Sequence, residues 1–68
     1  MFHEEIGEAA GLVYTHLMKK GERTLTQLQK EVPAKRQSLV LLAVGWLARE
    51  GKLRENRVGN TVRLSLAD

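Results

Sequence analysis

Two groups of side chains in this chain of 68 residues have types and spacings suited to holding phosphate. Lys35, Arg36, Gln37 and Ser38 follow Pro33 at the start of a helical pattern, where unpaired backbone amides and positive charge suit an anion. Lys52, Arg54, Arg57 and Arg63 are spread through a strand-like segment near the end, with Arg49 just before them. Contacts of this kind to a nucleic-acid backbone give affinity and salt dependence without reading sequence. A solvated surface accounts for the same residues equally well, and Glu31, Glu50 and Glu55 interrupt the patch.

Catalytic chemistry has little support. With no cysteine there is no thiolate nucleophile, no disulfide and no thiolate-bound zinc. His3 and His16 are the only histidines, and they form no cluster with metal-ligand spacing. There is no glycine-rich phosphate loop and no convincing serine–histidine–acid set. Glu4, Glu5 and Glu8 resemble paired carboxylates only in number, since negative charge in a first turn complements the helix dipole. Tyr14 and Met18, four apart, suit packing better than a ligand site. The chain is therefore expected to be no enzyme, with no cofactor, no metal and no small-molecule ligand.

The elements that must position these residues follow from periodicity. Ile6, Ala10, Val13 and Leu17 recur at three and four, predicting a helix from about His3 to Lys20 that stops at Gly21. Gly7 and Gly11 share a face of it, either tolerated in solvent or leaving room for another backbone. Glu22–Leu25 is a connector with room for one short edge strand. Thr26 with Gln29 three residues on has the form of a capping box, opening a short helix with Leu28 and Val32 as its apolar contacts. Pro33 ends that helix and suits the first turn of a third, expected from about Ala34 to Glu50 and stopped by Gly51. Leu53–Val58 and Thr61–Leu66 flank Gly59-Asn60, a two-residue hairpin turn that takes positive φ. That loop pairs Leu53 with Leu66, Glu55 with Leu64 and Arg57 with Val62. It sends Leu53, Val62, Leu64 and Leu66 to the core, and Arg54, Asn56, Arg63 and Ser65 outward.

The order predicts one α+β domain over residues 1–68, a winged helix-turn-helix with three helices followed by a two-stranded β-hairpin wing. The stretch Ala43-Val44-Gly45-Trp46-Leu47-Ala48-Arg49-Glu50-Gly51-Lys52-Leu53 resembles a family of small stand-alone prokaryotic winged helix-turn-helix domains of unknown function. That resemblance implies the fold and leaves function open, because one fold hosts many functions.

The third helix is the most informative element. Placing Val40, Ala43, Val44 and Leu47 inward leaves Ser38, Leu42, Gly45 and Arg49 outward, flanked by Leu41 and Trp46. In a DNA-reading winged helix this outward stripe enters the major groove, where readout uses arginine, lysine, asparagine, glutamine or hydroxyl groups. Leucine meets only a thymine methyl. An all-round apolar helix is normally covered on more than one side, so Leu41, Leu42, Gly45 and Trp46 are expected to form a two-fold homodimer interface. The alternative folds Trp46 back on the first helix and shields the leucines with the wing. Two functions therefore stay open: a dimeric, DNA-associated module of the transcription type, contacting double-stranded DNA through phosphates, and a protein–protein module that ignores DNA.

Totals bound the rest. A domain this small buries only about 60% of the surface its unfolded chain exposes. The formal net charge of +3 permits nucleic-acid binding without arguing for it. The acidic start lacks the features of a signal peptide, and the apolar run Leu39–Ala48 is about half of what a membrane-spanning helix needs. A soluble, cytoplasmic protein without a membrane partner is expected.

Overall fold

Helix α1 spans Phe2–Lys20 in the computed structural model, which describes residues 2–32 and 34–67, with side chains over 4–32 and 37–67. Glu4 and Glu5 in its first turn and Lys19 and Lys20 in its last complement the dipole. Gly21, at φ 80°, ends it by donating its N–H to the Leu17 carbonyl at 2.8 Å. Ala9, Ala10, Val13 and Leu17 are buried, with Tyr14 packed at the margin of the core. Met18 does not pack as expected. It is 60% exposed, because one residue past Leu17 the stripe has turned away from the core.

Strand β1, Arg23–Thr24, runs directly into helix α2, Leu25–Glu31. The cap is Thr24, not Thr26: the Thr24 hydroxyl accepts from the Gln27 N–H at 3.1 Å, and Gln27 Oε1 accepts from the Thr24 N–H at 2.9 Å. Both threonines have a glutamine three residues on, and the earlier one wins because strand pairing already holds it extended. Starting at Leu25 also puts Leu25 and Leu28 on one face, and Leu28 is fully buried. Val32, with ψ 157°, leaves the helix in the extended geometry that a residue before proline prefers.

The third helix begins differently from the expectation. Residues Ala34–Leu39 form a 3-10 segment, and α3 proper is Val40–Arg49. No side chain caps the start of α3, and the tighter 3-10 turns engage backbone groups that a cap would otherwise satisfy. The far end is well closed. Gly51, at φ 74°, donates to the Ala48 carbonyl at 3.0 Å and Lys52 donates to Leu47 at 2.9 Å, the two bonds of a Schellman motif. That turn aims the chain into the hairpin.

Strands β2, Leu53–Val58, and β3, Thr61–Leu66, pair antiparallel in the expected register, Leu53↔Leu66 through Val58↔Thr61. Only Gly59 takes positive φ, at 61°, while Asn60 does not, which is the type II′ pattern. The sheet has three strands where the wing alone would have two. The connector strand β1 adds to β3, with Arg23↔Leu64 and Thr24↔Arg63, giving the order β1-β3-β2. Leu64, in the central strand, is buried against the helices, and Leu53, Val62 and Leu66 pack around it. Val13, Leu28 and Val40, one from each helix, form the centre. Covering a side chain of this kind contributes about 1.5–3 kcal/mol.

Candidate nucleic-acid and protein interfaces

Helix α3 shows two faces of nearly the same composition and opposite fates. Val40, Ala43 and Leu47 are buried and Val44 is half-buried. Leu41, Leu42 and Trp46 are 60%, 45% and 40% exposed. Gly45 and Arg49 are exposed between and beyond them, and Ser38 is exposed on the preceding 3-10 segment. A Cβ at Gly45 would meet nothing within 4 Å, so no contact among the described residues calls for a glycine there. As a surface for reading bases, this stripe offers Arg49 and the Ser38 hydroxyl but no amide side chain.

Trp46 lies on the flank of α3 that faces α1. With Leu47 and Lys52 it lines a groove of about 330 Å³ whose other wall is Gly7, Ala10, Gly11, Tyr14 and Thr15. The indole thus sits beside the first helix while keeping substantial exposure. The leucines are left open.

The basic residues picked out by the sequence do not gather on one surface. Register places Arg54 and Arg63 on the outward face of the hairpin as diagonal neighbours, with Asn56 and Ser65. Arg57 stands opposite Val62, on the face that Glu55 shares with Leu64. Lys52 lies in the α1–α3 groove. Arg63 Nη1 is 3.7 Å from Glu22 Oε1, with both side chains about half exposed, a pair that solvent weakens. Gln37 turns its Nε2 towards the Val32 carbonyl at 3.5 Å. Lys35 and Arg36 have their backbone in the 3-10 segment, and their side chains lie outside the described residues.

A polar cluster that sequence reasoning missed occupies the corner between α1, α2 and β1. His16 donates from Nε2 to Glu31 Oε1, and Arg23 Nε donates to the same oxygen at 3.2 Å. The His16 hydrogen bond, aided by the Arg23 guanidinium and opposed by desolvation, holds the Glu31 carboxyl below its ordinary range. Glu31 is therefore engaged within the chain, not a free charge facing a phosphate. No local signal marks this cluster, because fifteen residues separate His16 from Glu31.

Among the described residues, no three histidine or acidic side chains gather as a metal site. No helix there is long and apolar enough to cross a membrane.

Comparison with known proteins agrees with this architecture. The family model described as "Winged helix-turn-helix domain (DUF2582)" matches residues 1–66. The uncharacterized protein MJ1608 of Methanocaldococcus jannaschii is 43% identical over 51 residues, covering 72% of this chain and 71% of that protein. No solved structure matches. The chain belongs to the winged helix-turn-helix domain family DUF2582.

Proposed function

We propose that this chain is a DNA-associated winged-helix module that holds the phosphate backbone with its wing, reads no base sequence, and works as a homodimer. The family is a winged helix-turn-helix, a fold commonly DNA-binding. The observation that carries the phosphate contact is that Arg54 and Arg63 are diagonal neighbours on the outward face of the hairpin, with Asn56 directly opposite Arg63. Arg49 adds an exposed positive charge in the last turn of α3. The absence of amide side chains from the outward stripe of α3 argues against major-groove readout, and backbone contacts need none. No catalytic step is assigned to the module.

Homodimerisation is supported by Leu41, Leu42 and Trp46. All three are large, apolar and exposed on the same helix. The same three side chains favour a second reading, a protein–protein module that ignores DNA. A duplex titration followed by amide NMR at low and physiological salt separates the two. Phosphate-led binding gives salt-sensitive shifts over the Lys52–Arg63 segment, and Arg54→Glu with Arg63→Glu abolishes them while self-association persists. Leu42→Glu does the reverse, breaking association in a folded monomer. Absence of shifts in a dimeric sample selects the protein–protein reading.

A further inference from the structure

Resting on the dimer proposed above, we infer that its two-fold axis lies on α1: two copies meet with their α1 helices antiparallel, crossing at Gly11, and each Trp46 flanks the crossing. Helix α3 alone is a poor candidate for the whole contact. Its ten residues present about 15 Å of helix, whereas a standard interface takes roughly 800 Å² from each partner. The neighbouring face of α1 supplies what is lacking. Trp46, at 40% exposure, borders the groove from α3, and Met18, at 60%, lies one helical turn beyond Tyr14 on the groove side. A Cβ at Gly7 or Gly11 would meet nothing within 4 Å, so the floor of the groove is open to a helix from outside the chain.

Charge selects the occupant and its direction. The first turn of α1 carries Glu4 and Glu5, and the last carries Lys19 and Lys20. Residue 11 is the midpoint of Phe2–Lys20. An antiparallel crossing there brings the acidic end of each copy alongside the basic end of the other, and opposes the two helix dipoles favourably. A parallel pairing would stack like charges. The arrangement is self-complementary, as a closed two-fold interface must be. Because Trp46 shares the groove with Gly11, both indoles come to the centre of the interface, where tryptophan hot spots concentrate.

The chain has no cysteine, which makes cross-linking a clean test. Gly11→Cys, Gly45→Cys and Leu12→Cys are each exposed to oxidised glutathione, alongside sedimentation of the unaltered chain at high micromolar concentration. A sulfur on the axis reaches its symmetry mate, since a disulfide requires Cα atoms within about 7 Å. The expected result is a dimer in which Gly11→Cys cross-links and the other two do not. A dimer that cross-links through Gly45→Cys and not Gly11→Cys overturns the α1 axis and leaves the dimer standing. A monomer at that concentration overturns both. As a second readout, Gly11→Glu raises the dimer dissociation constant at least about tenfold without lowering the monomer's thermal midpoint, because a Cβ at this position meets nothing within 4 Å and alanine-like replacement of a helical glycine favours the helix. An unchanged dissociation constant overturns the inference.

Discussion

The corner where β1 meets α2 and the ridge made by α1 and α3 meet the demands of folding in opposite ways. At the corner, polar groups find one another: His16 and Arg23 on Glu31, Thr24 and Gln27 in a reciprocal cap, Arg63 near Glu22. On the ridge, Val40, Ala43 and Leu47 are covered by the rest of the chain, but Leu41, Leu42 and Trp46 are not. The difference shows where a partner is to be sought. A corner that satisfies its own hydrogen bonds gains little from a second molecule, whereas exposed leucine and tryptophan gain from every contact that excludes water.

The largest effect that sharpens this comparison belongs to the two faces of α3. Leu47→Ala, on the covered face, is expected to cost about 2–5 kcal/mol in urea unfolding, while Leu42→Ala costs the monomer about 0.5 kcal/mol or less. Equal losses would mean that the outer face is core after all. Next comes the corner's cap. Thr24→Ala is expected to cost about 1 kcal/mol, and Thr26→Ala within about 0.5 kcal/mol of nothing, by the same unfolding measurement. The reverse order would restore the later threonine as the cap and remove the junction between sheet and helix.

The smallest effect is the pH dependence of the corner. The Glu31 carboxyl is held below its ordinary value of 4.5, so its contribution is present above that pH and fades as pH falls through the lowered value. Glu31→Gln is therefore expected to melt at a lower temperature than the unaltered chain near neutral pH. The gap should narrow as the medium is acidified from about pH 6 to about pH 3. A gap that stays constant would show that His16 and Arg23 do not recognise the charged form.

How much of this was legible in the sequence depends on the range of the interaction. The hairpin register was readable because a two-residue loop at Gly59-Asn60 leaves one pairing that sends Leu64 and Leu66 inward. The separation of Arg57 from Arg54 and Arg63 was also readable. An odd spacing along a strand reverses the face, and grouping the arginines by charge alone obscured it. The two faces of α3 followed from three-four spacing. By contrast, Thr24 and Thr26 carry the same local signal, and only the pairing of β1 with β3 chose between them. The 3-10 start of the third helix had no signature in Ala34–Leu39 that periodicity detects.

The sequence by itself determined the order of elements, the inward stripe of α3, that of α1 from Ala10 to Leu17 though not at Ile6, and the hairpin, because periodicity and turn geometry act over a few neighbouring residues. Tertiary structure alone decided that the connector joins the sheet, that His16 and Arg23 converge on Glu31, and that Trp46 comes to lie beside Gly11. Those contacts join residues distant along the chain. They exist only because burying Val13, Leu28 and Val40 together fixes how the helices cross.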